Sequence, residues 1–105
     1  VADNLLADYE KIAPDFSRYL IEFAFGEIYA REGDVKQREL VAIASLATMG
    51  GCDKQLGTHV RGAFNLGLTE AEIVEAVMTL IPYIGFPKAL NAMAVVKHVV
   101  DKRGG

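Results

Sequence analysis

Apolar residues recur at three- and four-residue steps along almost the whole chain. No segment shows the period of two that marks a half-buried strand, so the pattern predicts an all-α fold of six short antiparallel helices. A first helix is predicted from about Asp3 to Ile12, with Asp3 as its cap and Pro14 as its stop. A second opens at Pro14, a residue tolerated in a first turn. It carries Phe16, Tyr19, Leu20, Phe23 and Ile28 to about Ala30, with Gly26 as a point of bending. Arg31-Glu32-Gly33 reads as a turn. Asp34 followed by Gln37 resembles a capping box and opens a third helix, which bears Leu40, Ile43, Ala44 and Ala47 and ends at Gly50-Gly51. The fourth runs from Cys52 or Asp53 to Gly67, a suitable glycine just past a helix end. Thr69 and Glu72 form a second capping box at the start of the fifth, whose broad apolar face holds Ile73, Ala76, Val77, Leu80 and Ile81. Tyr83-Ile84-Gly85-Phe86-Pro87 predicts a corner before a sixth helix from Pro87 to Asp101.

Composition adds an expectation about assembly. The chain has 105 residues, which favours a single domain over residues 1–105, yet 51% of them are hydrophobic. Mean hydropathy is +0.21. The fifth and sixth helices are apolar nearly all round and need surrounding protein that six short helices cannot supply. A homo-oligomer is therefore expected. The net charge of −3 and the scattered distribution of 11 Lys and Arg leave no basic stripe, so nucleic acid is not an expected partner. A single cysteine excludes an intrachain disulfide. With no recognisable secretory signal, and with uncharged stretches such as Ala76–Phe86 too short for a bilayer and interrupted by Pro82, a cytoplasmic protein with no membrane contact is expected.

Candidate chemistry concentrates between Arg38 and His59. Gln55 and Cys52 stand four and seven residues before His59, on nearly the same helical face, which Leu56, Ala63 and Leu66 also share. His59 reads either as a neutral, proton-accepting imidazole in partly apolar surroundings or as a core histidine bonded to a backbone carbonyl. Cys52 sits at a helix start, where partial positive charge favours a thiolate and the adjacent Asp53 opposes it; taken alone, it reads as a small buried hydrophobe ahead of a reactive thiol. Glu39 is either functional or a solvated glutamate beside Lys36 and Arg38. Tyr83 and Gly85 at the corner can line a pocket or simply pack. Arg61 points away from the His59 side of its helix, and His98 reads as surface or interface. The chain lacks a phosphate-binding glycine loop, an H-x-x-x-H pair, a CxxC pair and a Gly-x-Ser-x-Gly elbow, and its two His and one Cys make a metal site within one chain unexpected.

Four ordered motifs resemble the carboxymuconolactone decarboxylase family: Lys36-Gln37-Arg38-Glu39-Leu40, His59-Val60-Arg61-Gly62-Ala63, Gly67-Leu68-Thr69-x-x-Glu72-Ile73 and Tyr83-x-Gly85-x-Pro87-x-Ala89. The resemblance spans about Ala13 to Val96. It implies an alkylhydroperoxidase D-like helical fold assembled as a homotrimer or homohexamer. In the hydroperoxidase branch a Glu precedes Cys-x-x-Cys-x-x-x-His. Glu39, Cys52 and His59 match, with one extra residue between the first two, and Gln55 occupies the second cysteine position. A dithiol peroxidase needs that second thiol to resolve a sulfenic acid, so the two-cysteine reaction is excluded. A one-cysteine peroxidase using Cys52 remains the alternative. The decarboxylase branch implies a lyase of aromatic-acid catabolism, acting without a cofactor on an unsaturated carboxy-lactone. Glu39 and His59 would be its acid–base pair, Cys52 a third catalytic candidate or a wall residue, and Tyr83, Gly85 and Gln55 substrate contacts. A small molecule is the expected ligand.

Overall fold

The computed structural model describes residues 9–104, and those residues form helices joined by tight turns, with no strand among them. The first predicted helix falls mostly outside them. The chain divides into two compact units, one ending at Asp34 and one beginning at Val35.

In the N-terminal unit, helix α1 spans Pro14–Tyr19 with its proline at the start. The path then continues as a π-helical segment, Leu20–Ile28. The bond from the Tyr29 N–H to the Ala24 carbonyl, five residues back, belongs to that wider register. The sequence pattern predicts one α-helix across this span. Apolar spacing of three to four residues fits either register, and it does not distinguish them.

The second unit is built from α2, Val35–Met49; α3, Asp53–Asn65; and α4, Glu70–Gly104. Its core draws on each of these helices: Ile43 and Ala47 from α2; Leu56, Val60 and Ala63 from α3; Ile73, Val77, Ala92, Val96 and Val99 from α4. Each fully buried Val, Leu or Ile contributes on the order of 1.5–3 kcal/mol relative to exposure. Leu66, expected beside His59, is exposed instead.

The turns follow from local chemistry. Gly50 and Gly51 both hold positive φ (72° and 70°) and end α2. At the end of α3, the Gly67 N–H donates to the Phe64 carbonyl and the Leu68 N–H to the Ala63 carbonyl. With Gly67 at φ 98° this is a Schellman motif, and Leu68 closes it by burying its side chain in the core. Thr69 and Glu72 then cap α4 reciprocally. The Glu72 N–H donates to Thr69 Oγ1 at 3.1 Å, and Glu72 Oε1 accepts the Thr69 N–H at 2.9 Å.

The fifth and sixth predicted helices are the two halves of α4. Gly85 (φ 80°, ψ 165°) breaks the helical path between them, and Pro82 and Pro87 flank it. Neither proline can donate a helical N–H, and glycine accepts the positive φ, so the bend lies where those residue types coincide. By length and composition α4 matches a bilayer-crossing helix, contrary to the expectation that Pro82 would interrupt any such run. Within this unit its Ile73, Val77, Ala92, Val96 and Val99 pack into the core with α2 and α3. Its Met78, Tyr83, Phe86 and Leu90 remain exposed.

Candidate active site

Glu39 and His59 meet where α2 and α3 pack together. Glu39 precedes the buried Ile43 by four residues, so its side chain leaves α2 on the core-facing edge. His59 lies between the buried Leu56 and Ala63, beside Val60. His59 Nδ1 is 3.0 Å from Glu39 Oε2, and the side chains are only 24% and 12% exposed. A carboxylate at this distance accepts a hydrogen bond from Nδ1–H and fixes the orientation of the ring.

Gly62 lies beside this contact. A Cβ at that position would lie 3.5 Å from Glu39 Oε2 and 3.7 Å from its carboxyl carbon. The carboxylate therefore rests against the backbone of α3, one turn beyond His59. Gly62 is a residue that sequence reasoning did not single out. Its signal was a glycine three residues after a histidine in an otherwise well-formed helix, where glycine is costly unless something lies close.

The other candidates do not join this pair. Cys52 occupies the N-cap position of α3 without capping it. Its thiol donates to the Gly50 carbonyl at 3.5 Å. Seven residues of helix place its backbone roughly 10 Å from that of His59. Gln55 is exposed, with no side-chain hydrogen bond among the described residues. Tyr83 is 82% exposed just before the α4 bend, and Gly85 forms the bend itself. Lys88, also not singled out from sequence, reaches from just beyond the bend to donate to the Thr48 carbonyl at 3.0 Å. It thereby ties α4 to the C-terminal end of α2, where a cation is favoured. No group of three or more potential metal-ligating side chains occurs among the described residues.

The helical unit around a Glu–His pair can be set beside known proteins. The family model described as "Carboxymuconolactone decarboxylase family" matches residues 14–98. The chain belongs to this family. Among curated relatives, it is 37% identical over 100 residues to the nitrosuccinic acid decarboxylase of Metarhizium robertsii, covering 94% of this chain and 69% of the relative. It is 35% identical over 91 residues to the 4-carboxymuconolactone decarboxylase of Acinetobacter baylyi, covering 86% and 67% respectively. It is also 32% identical over 92 residues to an uncharacterised 15.0 kDa protein of Paracoccus denitrificans, covering 86% and 69%. Membership accounts for the four ordered motifs that run from Lys36 to Ala89. It also means that Glu39 and His59 both lie within the matched residues.

Proposed function

We propose that the protein is a decarboxylase of a small organic acid, with Glu39 and His59 as its acid–base pair and no cofactor taking part. The 3.0 Å contact between His59 Nδ1 and Glu39 Oε2 carries this reading. Two of the relatives above are named decarboxylases. The acids in those names share a feature: the departing carboxylate sits on a carbon whose electrons can pass into an acceptor. In carboxymuconolactone the acceptor is the lactone carbonyl, reached through the ring double bond; in nitrosuccinate it is the nitro group.

The reaction breaks one carbon–carbon bond. Its electron pair moves into the acceptor, leaving negative charge on oxygen, while carbon dioxide departs. An imidazolium at His59 donates its Nε2 proton to the electron-rich product and is left neutral with its other proton on Nδ1, where Glu39 accepts it. A proton from solvent restores the imidazolium. Shielding the substrate carboxylate from water favours the loss of its charge.

The active form is a homo-oligomer in the cytoplasm, in this reading, and α4 meets another subunit rather than lipid. Exposed Met78, Tyr83, Phe86 and Leu90 on α4 support a protein partner, since monomers rarely leave large contiguous apolar patches. Light scattering at micromolar concentration tests the assembly, and a monodisperse monomer refutes it. The chemistry is tested by carbon dioxide release from 4-carboxymuconolactone and from nitrosuccinate. His59→Ala should lower turnover about 100-fold or more, as loss of a general acid does. Turnover of neither acid by the purified protein, or full activity in the alanine variant, would remove the reading. A peroxidase reading makes the opposite demand: Cys52→Ser would abolish activity, whereas the decarboxylase keeps its activity without the thiol.

A further inference from the structure

The side of α3 opposite His59 carries a separate feature. Between α3 and α4 lies an open cleft of roughly 480 Å3, to which neither Glu39 nor His59 contributes. Lys54 and Arg61 of α3 line it, as does His98 of α4. Arg61 spends one donor on the Thr58 hydroxyl at 3.2 Å. A guanidinium has five N–H donors, so most of its capacity is unspent. No ion pair or hydrogen bond engages the side chains of Lys54 or His98 among the described residues. The one acidic group lining the cleft is Asp53. Lys54 and Arg61 against Asp53 leave a single net positive charge among these three, in a protein whose overall charge is −3.

The floor differs from the walls. Gly57 and Val99 are buried there, and Val95 is half-buried. A Cβ on Gly57 would stand 3.5 Å from Arg61 Nη1 and 3.7 Å from Val95 Cγ1. The glycine therefore keeps the floor open beneath the guanidinium. An apolar floor under a single net positive charge suits a monoanion with a hydrocarbon body, and suits a compact, strongly hydrated dianion such as phosphate poorly.

We infer that the α3–α4 cleft is a second ligand site, distinct from the Glu39–His59 pair, which binds a small apolar carboxylate through Arg61 and Lys54. Benzoate is a suitable probe, with benzamide as its uncharged counterpart and inorganic phosphate as a bare anion. Amide NMR spectra of the intact protein follow each titration. Benzoate should shift saturably the signals of residues 53–61 and 91–99, and neither benzamide nor phosphate should do so. Arg61→Gln should weaken benzoate about 10-fold or more, as loss of a charge-assisted bond does. Lys54→Gln should weaken it less, and His59→Ala should leave it unchanged. Circular dichroism checks that each variant is folded. The inference is overturned if benzoate shifts only the surroundings of Glu39 and His59, if phosphate binds as well as benzoate, or if folded Arg61→Gln binds as tightly as wild type. It is also overturned if benzoate fails to bind while Arg61→Gln reduces the mass seen by light scattering. In that case the cation serves a contact between copies of the chain.

Discussion

Replacing Gly62 with alanine and replacing Gly67 with alanine should move stability in opposite directions, although the two glycines are five residues apart. Gly62 lies inside α3 with ordinary helical geometry, and its added methyl would meet Glu39 at 3.5–4.0 Å, within normal contact distance. The substitution therefore gains helix propensity without a clash, worth about 0.5–1 kcal/mol. Gly67 holds φ at 98° in the Schellman turn, where a Cβ is strained even though its only near neighbour among the described residues is the flexible Lys36 side chain. Alanine there should cost about 1–2 kcal/mol. The two variants should then differ by roughly 2 kcal/mol, or about 8–16 °C in Tm for a unit of some 70 residues. Urea midpoints measured beside thermal melts separate a change of stability from a change in the unfolded state. If Gly62→Ala loses more than about 1 kcal/mol, the carboxylate of Glu39 does not lie against α3 as described. If Gly67→Ala matches wild type, the turn does not need its left-handed residue.

Other expectations come from the cap and the core. Thr69→Ala should lower stability by about 1 kcal/mol through loss of the hydroxyl that accepts the Glu72 N–H, as read by urea denaturation. The Thr69 backbone N–H and then its hydroxyl hold the Glu72 carboxyl below its ordinary pKa of 4.5. A carboxyl depressed on folding contributes stability above its unfolded pKa and loses that contribution as pH falls through the folded value. Glu72→Gln should therefore flatten the decline of Tm below about pH 4.5, and an unchanged acid limb would count against the capping box. Ile73→Ala, at a fully buried position, should cost about 2–5 kcal/mol, and a loss under 1 kcal/mol would place Ile73 outside the core.

How far the fold was legible depended on how local each signal was. Gly50-Gly51, Gly67 and the Thr69–Glu72 box marked their turns in sequence because each acts through its own backbone neighbours. The register of Leu20–Ile28 was not legible, since a π-helix and an α-helix can carry the same apolar spacing. Glu39 and His59 stood out as residue types, and their motifs pointed to the family. Their 3.0 Å contact is a property of how α2 packs on α3, and no pattern within either helix encodes it. Leu66 shows the same limit: its spacing put it on the His59 side with Leu56 and Ala63, yet those two are buried and Leu66 is exposed. Gly62 and Lys88 went unnoticed for a related reason, because each acts on a residue far away in the chain.

The two sides of α3 also constrain how this family member can drift. His59 and Arg61 are separated by a single residue, yet one meets Glu39 and the other lines the cleft toward α4. One residue inserted near Thr58 would rotate everything after it by about 100°. That turn would swing His59 off its carboxylate and Arg61 off its cleft together, and would carry Val60 and Ala63 out of the core. Lineages should therefore keep the count of residues in α3 fixed. A deletion scan along α3 would reveal this as loss of both contacts and of the core together.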